Sequence, residues 1–295
     1  MSLLSIAATL QSAIAELRSA GSESPELDAQ VLLRHVLQCD RSYFFTWPER
    51  DVPAAEAAQF RALLAQRVQG LPIAHLIGTR EFWSLPLLVN NSTLIPRPDT
   101  EILVERALQL ELPDNARVLE LGTGTGAIAL ALASERPDWQ ITAVDCVAEA
   151  VALARKNQQQ LNIPNVAILQ SDWFSEVTAQ QFDLVISNPP YIDPQDPHLQ
   201  QGDVRFEPRS ALVADNRGLA DIEHIIAHAK PYLTANGWVL LEHGSEQAAG
   251  VQRIFEKHRY NEIHTVQDYA NLNRVTGGIL GDNIARFSSG LLPML

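Results

Sequence analysis

The chain has 295 residues, 46% hydrophobic and 19% charged, with a formal net charge of −13. That is the balance of a soluble globular protein with room for about two domains. No apolar run approaches the roughly 20 residues of a membrane span, and the N-terminus lacks the basic region and long apolar core of a secretory signal. The acidity argues against generic binding to nucleic acid, which needs clustered Lys and Arg. Cys39 and Cys146 are far apart and without metal spacing, so neither a disulfide scaffold nor a metal site is expected, and a reducing cytoplasm fits. Residues 1–90 hold nine acids and seven bases, so −11 of the −13 falls on the remainder. This suits solubility and leaves room for a basic protein partner.

Leu3, Leu4, Ile6, Leu10, Ile14 and Leu17 recur at helical spacing over residues 2–20, and Gly21 suits the helix end. Ser24-Pro25 opens a second helix, with Ser as N-cap and Pro at the first helical position. A short third helix is expected over Ser42 to Trp47, and Pro53 opens another that ends near Gly70. This helical bundle shows no chemical constellation, and His35 reads as a packed or half-exposed histidine. Residues 79–83 and 85–89 then alternate as a hairpin between two domains. Its Phe82 and Trp83 either line a substrate entrance or cover a hinge. Ile95-Pro96-Arg97-Pro98-Asp99-Thr100-Glu101 is a stiff loop leading into a helix that starts acidic.

After residue 115 strands and helices alternate. Strands are expected near 117–121, 140–145, 166–170, 182–187 and 237–242, with helices near 127–136, 147–160 and 218–232. A terminal antiparallel pair, 262–266 with 274–279, completes seven strands. The pattern is that of an α/β fold with a doubly wound, mostly parallel, Rossmann-like sheet.

Glu120-Leu121-Gly122-Thr123-Gly124-Thr125-Gly126-Ala127 runs from a strand through a glycine-rich turn into a helix. Glycines there permit the tight turn and let a ligand approach the backbone. Asp145 ends the next strand, where a carboxylate can accept both hydroxyls of a ribose, a helix N-cap being the plain alternative. An adenosine-containing cofactor follows, with NAD and S-adenosylmethionine both open. The acid within the strand gives the E-x-G-x-G-x-G form common in class I methyltransferases. Ser171-Asp172-Trp173 follows the third strand, placing Asp172 to accept from an adenine amine and Trp173 to flank the ring. Asp172 reads equally as a turn acid.

Phe182 to Ser187 is a short apolar run closed abruptly by Asn188-Pro189-Pro190-Tyr191. Neither proline has an N–H, and each holds the residue before it extended, so the chain leaves the strand stiffly. The Asn188 carboxamide oxygen and the carbonyls of the Asn-Pro and Pro-Pro peptides are acceptors that could together grip both hydrogens of a planar amino group. Tyr191 adds a flat face or a hydroxyl. A plain turn is the blander reading.

Taken with Leu94 to Glu101, Asp203-Val204-Arg205-Phe206-Glu207-Pro208-Arg209-Ser210-Ala211-Leu212 and Glu242-His243-Gly244, these motifs resemble the PrmC/HemK family of bacterial peptide chain release factor glutamine methyltransferases. The resemblance runs from the bundle to about Arg274. It implies transfer of a methyl group from S-adenosylmethionine to the side-chain amide nitrogen of the glutamine in the Gly-Gly-Gln motif of class 1 release factors. It also implies cofactor contacts at Gly122, Thr123, Gly124, Thr125, Gly126, Asp145, Trp173 and Asn188, and substrate contacts at Asn188, Pro189, Pro190 and Tyr191. Asp172 joins the cofactor set from its position alone. No metal is implied.

The expected organisation is a substrate-docking bundle at 1–72, a hairpin linker at 73–98 and a methyltransferase domain at 99–295, acting as a cytoplasmic monomer without direct nucleic-acid or membrane contact. Two departures from the family pattern stand out. Asn271 follows Asp268-Tyr269-Ala270 where the family usually has Gly, and the end from Gly281 to Leu295 is unlike the usual short finish. The nearest alternative is methylation of an exocyclic amine of adenine or guanine, which requires a flipped base and a basic surface. An NAD-dependent oxidoreductase leaves Asn-Pro-Pro-Tyr unexplained. A non-catalytic binding module that keeps S-adenosylmethionine as a structural ligand is the third rival.

Overall fold

The computed structural model describes residues 4–178 and 180–281, so Leu3 and the tail beyond Gly281 lie outside the described residues. Two compact units result: Met1–Ile95 with Gln195–Arg209, and Pro96–Pro194 with Ser210–Leu295.

In the first unit, helices Ile6–Ser19, Pro25–Leu37, Arg41–Thr46 and Ala54–Val68 match the sequence reading within a few residues. Ser5 caps the first by accepting the Ala8 N–H at 3.2 Å. Ile6, Leu17, Leu32, Leu33 and Phe60 form the core. A further helix, Ile73–Ile77, is too short to show a hydrophobic period and ends at Gly78. β1 (Thr79–Phe82) and β2 (Leu85–Leu88) pair antiparallel, with Thr79 opposite Leu88. Trp83 and Ser84 both take positive φ at the turn, as a two-residue hairpin loop requires. Phe82 is buried inside this unit, so it does not line an entrance.

Segment 195–209, read from sequence as part of the second domain, groups with the first. The cause is a half-buried cation. Arg67 Nε lies 2.8 Å from Asp28 and Nη1 lies 2.9 Å from Asp203, so a guanidinium removed from water is matched by two carboxylates. Arg205 Nη2 also donates to the Gln69 carbonyl at 3.3 Å.

The second unit is the doubly wound sheet. Its strands are β3 (Arg117–Leu121), β4 (Gln140–Asp145), β5 (Val166–Gln170), β6 (Phe182–Ser187), β7 (Leu233–Glu242), β8 (Asn261–Gln267) and β9 (Asn273–Ile279). They lie in the order β5-β4-β3-β6-β7-β9-β8. The first five neighbours are parallel, and β9 runs antiparallel to both β7 and β8. Leu119, Leu121, Leu184, Val185, Val239 and Leu241 are fully buried, the continuous apolar signature of strands covered on both faces. The chain winds outward from β3 to β5 and then restarts at β6 on β3's other side. The carboxyl ends of β3 and β6 therefore flank the switch point at which open α/β sheets bind ligands.

Two differences from the sequence reading have local causes. The helix expected over 218–232 is divided: Asn216, Arg217 and Gly218 all take left-handed backbone, helix Ala220–His228 follows, and Lys230–Tyr232 is a 3₁₀ turn built on Pro231. Helix Ala248–Lys257 went unread, although Ala248, Val251, Ile254 and Phe255 are spaced for one buried face. Asn271 sits at φ 60°, the left-handed region that Asn tolerates best after Gly. A glycine takes the same left-handed backbone without strain.

Candidate active site

The site is assembled at the carboxyl edge of β3, β4 and β6. Leaving β3, the chain makes three left-handed turns at Gly122, Gly124 and Gly126 (φ 69°, 54° and 85°), and Gly126 caps helix Ala127–Glu135. A Cβ on Gly122 would point into open space, so a ligand can reach this backbone without displacing the protein. The loop is tied from four sides. Thr123 Oγ1 donates to Glu120 Oε2 at 2.6 Å, the Ala129 N–H donates to the same oxygen at 3.1 Å, Asn157 Nδ2 donates to the Thr125 carbonyl at 2.9 Å, and the Gly124 N–H donates to Asp145 Oδ2 at 2.8 Å. Glu120 is fully buried, and desolvation pushes its carboxyl up to about 8. Its role is thereby structural: it holds the loop from beneath.

Asp145 also accepts the Val147 N–H at 2.9 Å, but Val147 is itself the N-cap of helix Ala148–Leu161, which has no side-chain cap, so Asp145 is not that helix's cap. The Gly124 and Val147 N–H groups reach different oxygens and the Cys146 N–H also favours the charged form, so three backbone donors meet four lone pairs and leave room for a ligand. Burial raises its pKa, partly offset by these backbone donors. The Ser171 N–H donates to the Asp145 carbonyl at 2.9 Å, which brings Asp172 and Trp173 to the same edge. Asp172 is exposed, without a side-chain hydrogen bond among the described residues. Trp173 is half-buried at φ 47°, in a groove of about 460 Å³ with Asp172, His224, His228 and Tyr232.

The end of β6 is fixed to the end of β3 by Ser187 Oγ, which donates to the Leu121 carbonyl at 2.7 Å. Asn188 therefore stands beside the glycine loop. Its Nδ2 donates to Thr100 Oγ1 at 3.1 Å, which leaves Oδ1 as the free end of the carboxamide. After the two prolines, Tyr191 turns inward. Its hydroxyl donates to Glu242 Oε1 at 3.1 Å, so Tyr191 offers a ring face and not a hydroxyl. Its carbonyl accepts from Gln247 Nε2 at 2.9 Å, and the Ile192 and Ala214 N–H groups cross-link residues 192 and 212–214. A Cβ on Gly218 would fall 1.9 Å from the Tyr191 oxygen, so only glycine fits there.

Sequence reasoning gave no role to Thr100, Glu242, Gln247 or Arg274. Glu242 ends β7, is almost fully buried, and is pushed up to about 7 by desolvation, against which Thr100, Tyr191 and Arg274 favour its charged form. Arg274 Nη2 lies 3.0 Å from Asp268 and 3.4 Å from Asp99. A carboxylate ending the apolar run from Trp238 to Leu241 was the available signal. Its partners come from distant segments and leave no local pattern. Among the described residues no group of three or more His, Cys, Asp or Glu side chains is placed to hold a metal, and no helix is long and apolar enough to cross a membrane.

The chain is similar to known methyltransferases along most of its length. Residues 8–78 match the PrmC N-terminal domain model, and residues 98–204 match the methyltransferase small domain. A release factor glutamine methyltransferase from Shewanella oneidensis is 56% identical over 273 residues, 92% of this chain and 95% of that protein. One from Escherichia coli is 54% identical over 270 residues, 91% and 96% of the two chains. The crystal structure of a methyltransferase from Pyrococcus furiosus superposes with a TM-score of 0.53 at 18% identity, covering 74% of this chain and 98% of the other. At that identity the likeness shows a shared fold.

Proposed function

The chain belongs to the release factor glutamine methyltransferase family, and from that premise we propose that it transfers a methyl group from S-adenosylmethionine to the side-chain amide nitrogen of the glutamine in the Gly-Gly-Gln motif of class 1 peptide chain release factors. It acts as a monomer in the cytoplasm.

The observation that carries this reading is the Asn188 carboxamide. It stands at the switch point beside the glycine loop, its nitrogen occupied by Thr100 and its oxygen left to accept. Gly122, Thr123, Gly124, Thr125, Gly126, Asp145, Asp172, Trp173 and Asn188 would hold the cofactor, and the open space over Gly122 and the spare lone-pair capacity of Asp145 fit it. When bound, S-adenosylmethionine supplies a methyl group on a sulfonium, a strong electrophile with a good leaving group.

The protein's part is alignment. A glutamine amide is a poor nucleophile because its lone pair is delocalised into the carbonyl. Asn188 Oδ1 and the Pro189 carbonyl accept its two N–H bonds and fix the nitrogen's direction. Pro190 keeps that stretch of backbone rigid, and the Tyr191 ring walls the site. Well-aligned reactants can remove on the order of 7–11 kcal/mol of barrier. Positive charge develops on the nitrogen during transfer, so fixed acceptors hold it more tightly in the transition state than before it. The proton leaves after transfer, when the alkylated nitrogen has become acidic.

The first unit docks the release factor. Phe45 and Trp47 are 70% and 53% exposed there, with Arg41 and Arg50 against their rings. In the variant Asn188→Ala, kcat should fall by about 100-fold or more, while the dissociation constant for S-adenosylmethionine, held mainly by the glycine loop and Asp145, rises by less than about 10-fold, a shift of under ~1.4 kcal/mol. Near-normal turnover would remove Asn188 from its role.

A further inference from the structure

Pro189 and Pro190 have no N–H, so the stretch that carries Asn188 anchors itself poorly through backbone donors. A donor from elsewhere does that work. Gln247 lies in the 3₁₀ turn Ser245–Gln247, between β7 and helix Ala248–Lys257. Both ends of its carboxamide meet groups of fixed character. Oε1 accepts the Gly244 N–H at 2.8 Å. Nε2 donates to the Tyr191 carbonyl at 2.9 Å and to the Arg217 carbonyl at 3.0 Å. A backbone N–H only donates and a carbonyl only accepts, so one orientation of this amide satisfies all three.

The foot of this brace is itself fixed. The Gln247 N–H returns to the Gly244 carbonyl at 2.9 Å, which closes a reciprocal pair. His243 Nδ1 lies 2.8 Å from the same carbonyl. A carbonyl cannot donate, so Nδ1 carries the proton, and the neutral ring accepts at Nε2. Thr276 Oγ1 lies 2.7 Å from that Nε2, Thr265 Oγ1 lies 2.7 Å from Thr276, and Gln252 Nε2 donates to Thr265 at 2.9 Å. Donors thus run one way, from helix Ala248–Lys257 through β8 and β9 to the Gly244 turn. His243 and Thr276 are fully buried. Burial pushes the imidazole pKa down, in keeping with the neutral ring that this direction requires.

We propose that Gln247 is a positioning residue for methyl transfer, a brace between the Gly244 turn and the Tyr191 carbonyl that fixes where the Asn-Pro-Pro-Tyr backbone stands. It touches none of the reacting atoms. The assignment rests on the reading of Asn188 and Pro189 as acceptors for the glutamine N–H groups, and it adds what holds their backbone in place. It also gives the Glu242-His243-Gly244 motif a purpose that the cofactor and substrate contacts leave unstated.

The test uses the full chain with a purified release factor and S-adenosylmethionine. Gln247→Met keeps the length of the side chain and removes its hydrogen bonds. Gln247→Glu keeps an acceptor for the Gly244 N–H but, when ionised, turns a second oxygen on the Tyr191 and Arg217 carbonyls. In both variants kcat should drop roughly 10- to 100-fold, with KM for the release factor and the cofactor dissociation constant within about 3-fold of the parent. The pH profile separates a brace from a residue that only adds stability. A protonated Glu has one O–H to donate to the Tyr191 carbonyl, and two facing carbonyls favour that neutral form. The kcat of Gln247→Glu, taken as a fraction of the parent's at each pH, should therefore rise by about 3-fold or more from about pH 8 to pH 6, while the fraction for Gln247→Met stays flat. Should Gln247→Met fail to fold, Gln247→Glu carries the test by comparison with the parent across pH. Full kcat in a folded Gln247→Met, or a flat fraction in Gln247→Glu, overturns the assignment. A parent chain that leaves the release factor unmethylated overturns the functional reading itself, and the assignment falls with it.

Discussion

Gly218 links backbone geometry to turnover more directly than any side chain in the site. It lies at φ +79°, and a Cβ there would stand 1.9 Å from the Tyr191 carbonyl oxygen, 2.6 Å from its carbon and 2.7 Å from Gln247 Nε2. Gln247 is itself the clamp, donating to the Tyr191 and Arg217 carbonyls at 2.9 and 3.0 Å. Real Cβ contacts do not fall below 3.0 Å, so in Gly218→Ala the Tyr191 backbone must retreat by about 1 Å. The left-handed backbone alone costs roughly 1–2 kcal/mol for alanine, a melting shift of about 2–8 °C for a domain of this size, and the clash adds to it. A displacement of about 1 Å at a positioning loop can cost on the order of 100-fold in rate. Thermal melting, equilibrium binding of S-adenosylmethionine and methyl transfer should therefore show a destabilised but folded protein, with nearly unchanged cofactor affinity and kcat down about 100-fold. A folded variant with full kcat would refute the claim that the position of Asn-Pro-Pro-Tyr limits the reaction.

Asp145→Asn puts an amide group opposite the Gly124 and Val147 N–H donors, now 2.8 and 2.9 Å away. Cofactor affinity should weaken by about 10- to 100-fold, and unaltered binding by calorimetry would contradict the site. Folding raises the Glu120 carboxyl from 4.5 to about 8 and that of Glu242 from 4.5 to about 7. Over that window the folded chain binds more protons than the unfolded chain, so both groups make stability fall as pH rises from about 4.5 to 8. Glu120→Gln should flatten the fall in melting temperature, and an equally steep profile would count against the burial of Glu120. Replacing Phe45 and Trp47 by Asp should raise KM for the intact release factor and leave a short glutamine peptide unaffected; equal loss on both would end the docking role.

Most of the second unit was legible because parallel strands buried on both faces read as apolar runs. Their switch point follows from topology, so Gly122 to Gly126, Asp145 and Asn188 could be placed at one edge before any coordinates. What stayed hidden is non-local. Thr100, Glu242 and Arg274 meet across segments separated by more than thirty residues, and no spacing announces that meeting. Segment 195–209 joins the first unit through Asp203 and Arg67, a pairing that periodicity cannot show. Helix Ala248–Lys257 is different: its apolar spacing was present, but its polar exposed face made it resemble a connecting loop.

The central claim is that Asn188 to Tyr191 present a protein glutamine to the methyl donor. The most direct measurement supplies radiolabelled S-adenosylmethionine to the purified chain with an intact release factor, a release factor whose motif glutamine is replaced, and a mixture of duplex DNA and ribosomal RNA. Label on the intact factor alone is the expected result. Label on the glutamine-replaced factor would move the site elsewhere on the same partner, and label on nucleic acid would mean that the four residues grip a base.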